Sequence, residues 1–171
     1  MSEDIRIYVA DLAAYNNGKL WGVWVDATAD LDTIWEAINT MLKASPEGFS
    51  EEWAIHDHEG FGRYGLDEYE SIARVHELAG FLAEHPELGS ELLDHFSGDL
   101  DDAKRALDEG YAGEYTSLAD YAEELTESTS DIPEHLAYYI DYERMGRDMG
   151  FSGDIYTIET AHDEVHVFWS H

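Results

Sequence analysis

His56-Asp57-His58 sets two imidazoles two residues apart, a spacing that puts both on one face of an extended strand. With His162 and His166 from elsewhere, such a pair could ligate a transition metal. Nothing fixes a third ligand nearby, and in a chain with nine histidines the simpler reading is hydrogen-bonded or surface imidazoles. Asp99-x-Asp101 with Asp102 and Glu109 begins like a calcium loop. An EF-hand needs glycine at the sixth position and a bidentate Glu at the twelfth, where this chain has Lys104 and Gly110. Gly60-x-Gly62-x-x-Gly65 is a loose dinucleotide fingerprint without the following apolar helix, and it reads as a turn. Carboxylate pairs such as Glu51/Glu52 and Glu123/Glu124 could act as general acid and base, but among 39 acidic residues such pairs arise by chance. The expectation is a protein with no catalytic residue, no metal and no cofactor, and not an enzyme.

The charge itself carries more information. The 171 residues hold 39 Asp and Glu against 9 Lys and Arg, a formal net of −30. Solubility alone asks for a net charge of magnitude roughly 2–8 in a small domain, and self-repulsion at higher charge works against the compact state. The excess is spread along the whole chain. Residues 1–60 carry 12 acids and 3 bases, residues 61–130 carry 18 and 4, and residues 131–171 carry 9 and 2. With 44% hydrophobic residues, five Trp and eleven Tyr, the chain should nonetheless fold. The absence of Cys excludes disulfides, thiolate metal sites and Cys nucleophiles. No apolar run reaches the ~18 residues of a membrane span, and Met1–Ala10 lacks the basic start and apolar core of a signal peptide. A soluble, cytoplasmic protein is expected. An anionic surface would be repelled by nucleic acid and acidic membranes, so the expected partners are basic proteins or cations.

The elements that must carry these charges follow from periodicity. Ile5, Ile7 and Val9 alternate with Arg6 and Tyr8 as a half-buried strand, and Leu20 to Val25 reads as a second beyond the turn at Asn16-Asn17-Gly18. Leu31, Ile34, Trp35, Ile38 and Leu42 keep helical spacing, and Trp53 to His58 can form another strand. From about Asp67 to Thr126 four apolar stripes follow: Ile72/Val75/Ala79/Leu82, Leu88/Leu92/Phe96, Leu100/Ala103/Leu107 and Leu118/Tyr121/Ala122/Leu125. Ser128–Asp131 looks like a linker. One helix is expected from Pro133 through Leu136, Tyr139, Ile140 and Met145 to Gly150, then a hairpin of Asp154–Thr160 and Glu164–Ser170. The fold class is α+β. Its expected parts are an N-terminal α+β module (1–61), a central helical module (62–110) and a C-terminal α+β module (111–171) that mediates dimerisation.

Each predicted helix pairs a narrow apolar face with a broad acidic one. Glu70, Glu77 and Glu84 fall seven apart, which would project them from one side of a single helix at ~10 Å intervals. Glu87, Glu91 and Asp94 would do the same on the next helix. Asp101, Asp102, Asp120, Glu123 and Glu124 extend the pattern, giving a distributed partner-binding surface. Any one row is an ordinary solvated face; repeated on every helix without basic partners, it becomes a property of the molecule. Duplex DNA carries about one charge per ~1.7 Å, so about thirty charges correspond to ~50 Å of duplex. The C-terminal third has the smallest absolute charge and concentrates Tyr138, Tyr139, Tyr142, Phe168 and Trp169, residue types suited to a homodimer interface.

Several stretches resemble the ArdA antirestriction family. They are Ile7-Tyr8-Val9-Ala10, then Leu12-Ala13-Ala14-Tyr15-Asn16-Asn17-Gly18 and Trp24-Val25-Asp26-Ala27; Trp53-Ala54-Ile55-His56-Asp57 with Glu59-Gly60-Phe61; Gly113-Glu114-Tyr115 with Ser117-Leu118 and Tyr121-Ala122; Tyr139-Ile140-Asp141-Tyr142-Glu143 with Arg147-Asp148; and Val165-His166-Val167-Phe168-Trp169. His58 stands where the family would have an aromatic residue. The resemblance implies an elongated, three-part homodimer from a mobile genetic element. Its surface carboxylates would imitate the phosphates of bent DNA and occupy the DNA-binding groove of Type I restriction–modification enzymes, on their methyltransferase core. The alternative is a halophile-adapted acidic binding module or enzyme, a reading that the three Lys of this chain also fit.

Overall fold

The alternation of Ile5, Ile7 and Val9 becomes β1 (Arg6–Asp11), the central strand of an antiparallel sheet. In the computed structural model, residues 4–48 and 50–170 are described; Met1–Glu3, Phe49 and His171 lie outside this description. β1 pairs on one side with β2 (Gly22–Asp26) and on the other with β3 (Trp53–Glu59). Ile7, Val9 and Val25 are buried on the inner face, against Ile34, Ile38, Met41 and Leu42 of α2 (Leu31–Lys43). Fully burying such a side chain stabilises by roughly 1.5–3 kcal/mol, against a few tenths for each like-charge pair on a helix surface. Burial therefore decides the outcome, and an acidic helix can still form.

Between β1 and β2 the sequence reads as a loop, but Leu12–Asn16 is a short helix, α1. Asp11 specifies it: its carboxylate accepts from the backbone N–H of Ala13 at 3.0 Å and of Ala14 at 3.5 Å, an N-cap buried at 0% exposure. Five residues are too few for an amphipathic period to show.

α3 (Ile72–Glu84) and α4 (Gly89–His95) follow the predicted stripes, and α3 packs on α2. The His76 imidazole Nδ1 lies 3.3 Å from the Ala27 carbonyl, tying α3 to the chain leaving β2. Met1–Gly98 forms one compact unit and Asp99–His171 a second.

The second unit starts at α5 (Leu100–Arg105), capped by Asp99, whose carboxylate accepts from Asp102 N–H at 3.0 Å. A π-helical turn, Ala106–Gly110, leads into β4 (Tyr111–Tyr115). α6 (Leu118–Thr129), α7 (Glu134–Ala137) and α8 (Tyr142–Ser152) precede β5 (Ile155–Ala161) and β6 (Glu164–Trp169). The sheet is antiparallel, in the order β4-β6-β5. One face presents Ile155, Val165 and Val167 to Tyr121, with Leu118, Leu125 and Met149 around them. Both units thus combine helices with an antiparallel sheet, and the fold is α+β.

Three expectations need correction here. The C-terminal sheet has a third strand, β4, beyond the predicted hairpin; its Tyr-Ala-Gly-Glu-Tyr sequence has little apolar alternation, and its register shifts between Tyr111 and Gly113. The helix expected from Pro133 to Gly150 is broken into α7 and α8, because the Asp141 carboxylate accepts from Arg144 N–H at 3.0 Å and starts a new helix. The linker begins later than Ser128, since α6 continues to Thr129.

Candidate partner-binding surface

On α3, Ile72, Val75, Leu78, Ala79 and Leu82 are buried while Glu77 and Glu84 are exposed, two carboxylates seven residues apart on a solvent face. Glu70 does not join them on the helix. Asp67 organises a turn there, accepting from Tyr69 N–H at 2.8 Å on its side chain and from Glu70 N–H at 3.1 Å on its carbonyl. Ser71 then caps α3 through a 3.2 Å bond from Arg74 N–H. Glu70 is therefore half-buried in the lead-in segment, and the predicted three-residue row has two members on the helix.

Glu87 likewise precedes α4, in the turn Pro86–Leu88, so only Glu91 and Asp94 of that row are helical. Glu91 is half-buried, with Arg63 at 3.7 Å, and Asp94 is exposed. Asp101 is exposed on α5, whereas Asp102 pairs with Arg105 at 3.3 Å. On α6, Asp120 accepts from the Thr116 hydroxyl, and its own N–H donates to Ser117 Oγ at 3.2 Å. Glu123 and Glu124 are exposed. Burial, and then the hydrogen bond and charge of Glu124, push the Tyr115 phenol up to about 12.

A further group of acids comes from the outer face of the N-terminal sheet. The register sets Arg6 opposite Asp26 on one side and Glu59 on the other, and Tyr8 opposite Trp24 and Asp57. Asp26, Asp57 and Glu59 are all exposed. The Arg6 guanidinium bonds Glu59 at 2.7 Å and lies 4.5 Å from the Trp24 ring centre. Period-two counting along the three strands was the available signal, but it needed the strand pairing as well.

The same sheet separates the two histidines. Val9 pairs with Ile55 and Tyr8 with Asp57, so His56 is an extra, bulged residue on β3. It is exposed against Tyr15, with rings 4.7 Å apart, while His58 is half-buried against Phe61 at 5.5 Å. The bulge removes the shared face that the spacing predicts. His166 is 3% exposed, with Nδ1 2.6 Å from the Tyr111 hydroxyl and Nε2 3.1 Å from Thr160 Oγ1. Among the described residues no group of three or more His, Cys, Asp or Glu is arranged to hold a metal ion. Gly60 has φ of 85°, and a side chain there would meet the Asp4 carbonyl at 2.5 Å, so the glycine-rich segment is a tight turn.

Of the aromatic residues expected at a dimer interface, Tyr138 and Tyr139 are 93% and 81% exposed, Trp169 is partly exposed and Tyr142 is half-buried. Phe168 is the exception. It is 0% exposed, with Tyr111 at 5.0 Å and a stacked Tyr156 at 5.2 Å, so it belongs to the interior of its own chain.

Two antiparallel sheets and acid-faced helices define the class: an acidic α+β protein. A family model described as antirestriction protein (ArdA) matches residues 7–164, and the chain belongs to that antirestriction family. None of the curated proteins compared with it matches significantly. Among the described residues no helix is long and apolar enough to cross a membrane.

Proposed function

We propose that the protein inhibits Type I restriction–modification enzymes by mimicking duplex DNA, its carboxylates standing in for phosphates in the DNA-binding groove of the methyltransferase core. The supporting observation is the succession of exposed acids, Glu77, Glu84, Asp94, Glu123 and Glu124, on α3, α4 and α6, which together hold one Arg and no Lys. Binding would release anions condensed on a basic groove, the converse of the counterion release that drives DNA binding. The protein acts as an inhibitor in the cytoplasm, with no catalytic step. Displacement of a labelled duplex from the methyltransferase core tests the reading. The duplex should leave in proportion to added protein, and inhibition that left it bound would rule the mechanism out.

The proposal includes a homodimer and the three-part division at residues 61 and 110. Tyr138 and Tyr139, with Leu136 at 48% and Phe151 at 82% exposure, offer the apolar area that a self-contact needs. Tyr138→Ser with Tyr139→Ser should shift sedimentation from dimer to monomer. A wild-type chain that is monomeric at micromolar concentration in physiological salt would contradict this part.

A further inference from the structure

β2 is an edge strand of the N-terminal sheet, and among the described residues no strand pairs with its outer side. Asp11 N–H donates to the Trp21 carbonyl at 2.8 Å and Ala27 N–H to the Ile5 carbonyl at 2.9 Å. These bonds flank the β1–β2 ladder and fix its alternation, so Val23 and Val25 turn their backbone groups toward β1. Gly22, Trp24 and Asp26 turn theirs outward. An edge of this kind is a template for another strand.

A groove of about 630 Å³ runs between that edge and α2. On the helix side it is lined by Thr33, Glu36, Ala37, Thr40 and Ala44, a second stripe at helical spacing distinct from the buried Ile34/Ile38/Leu42 stripe. On the strand side are Leu20, Trp21 and Gly22. Leu20 is 87% exposed, and Trp21 is held by a 2.8 Å bond from its indole N–H to the Met41 carbonyl. A side chain at position 22 would meet the Tyr8 ring at 2.6 Å and the Val9 carbonyl at 2.5 Å, so glycine there lets Tyr8 lie across the strand and floor the groove. The groove is apolar, its one charged lining residue is Glu36, and the chain around it is strongly acidic.

We propose that this groove takes an extended, basic segment of a protein partner, which adds to the sheet as a fourth strand beside β2. The segment's backbone pairs with Gly22, Trp24 and Asp26, one large apolar side chain seats against Trp21 and Ala37, and a neighbouring lysine or arginine reaches Glu36. Strand addition of this kind draws affinity from main-chain bonds and specificity from alternate side chains. A second copy of the chain fits less well. Self-pairing through β2 would bring together two copies of a chain with a net charge of −30 and would leave Glu36 of each without a basic partner. The proposal stands apart from the phosphate-mimicry reading, and its test uses neither DNA nor a restriction enzyme.

The test is NMR titration of the isotope-labelled full chain with a synthetic peptide alternating valine and lysine. Two control peptides accompany it, one with the same residues but all lysines at one end, the other N-methylated at alternate amides. The amides of Gly22, Trp24 and Asp26 should shift and become protected from exchange. N-methylation, or filling the groove by Thr40→Trp at an exposed helix position, should each weaken binding about tenfold or more. Glu36→Lys is a second exposed variant that leaves the core untouched, and it should weaken binding several-fold. Equal affinity for all three peptides, with shifts spread over the acidic helices, would show charge attraction alone and overturn the proposal. So would shifts at β2 that depend on protein concentration without peptide, which would assign the edge to a second copy.

Discussion

On α3, Glu77 and Glu84 stand exposed above a buried apolar face, whereas along β2 it is Leu20, Trp21 and Trp24 that stand exposed, with Glu36 the one acid lining the groove. Both surfaces face solvent, yet they suit different contacts. The helix presents repeated charge, the form of a contact in which many weak ionic terms add. The groove presents concentrated aromatic area and directed backbone groups, the form in which a few residues carry most of the energy. A third setting, the buried Asp11, shows what a carboxylate does when it is structural: it is wholly enclosed and hydrogen-bonded by α1.

The largest expected effect separates charge from fold. Amidation of most carboxylates should abolish binding to a Type I enzyme while circular dichroism stays native, whereas retained binding would show that the enzyme does not read the exposed charge. Next in size, converting Glu70, Glu77, Glu84, Glu87 and Glu91 together to Gln should cost about 2 kcal/mol or more of binding and flatten its salt dependence. Titration at several ionic strengths checks both.

Asp11→Asn should act on stability instead, lowering it by about 1–2 kcal/mol in denaturant melts with little change in binding. Burial pushes the Asp11 carboxyl up, but hydrogen bonds from Ser45, Ser50, Ala14 and Ala13 outweigh it and hold the group below its ordinary value. A lowered folded pKa means the stabilisation is present above the unfolded value of about 4 and is lost as pH falls through the folded one. The wild-type chain should therefore lose stability below about pH 4 more steeply than Asp11→Asn. The smallest effect is expected of Glu77→Gln alone, less than about 1 kcal/mol of binding. Loss of inhibition from that single change, in a folded protein, would turn the distributed surface into a hot spot.

How much of this was legible depends on the distance over which each feature is determined. α2, α3 and α6 were readable because a 3.6-residue apolar period spans three turns in each, with Ser71 and Ser117 marking two of the starts. Seven-residue spacing places Glu70 and Glu87 on helices, but Ser71 and the Pro86–Leu88 turn set the helix starts after them. The bulge at His56 depends on how β3 meets β1 and leaves no trace in β3 alone. β4 and the burial of Phe168 are hidden in the sequence for a related reason. The burial of a strand residue depends on what covers that face, and the apolar character of Phe168 fits an interior and an interface equally. The groove beside β2 needs the strand order as well as the stripe on α2, and pairing order is not written in any single segment.

If carboxylates replace phosphates, the complex with a Type I methyltransferase core must share the salt dependence of DNA binding. The association constant should fall linearly with salt on logarithmic axes, with a slope of several, comparable to that of a duplex on the same enzyme. The five-Gln variant should show a shallower slope. An association constant indifferent to salt, or a complex that forms equally well on enzyme already saturated with duplex, would contradict the account.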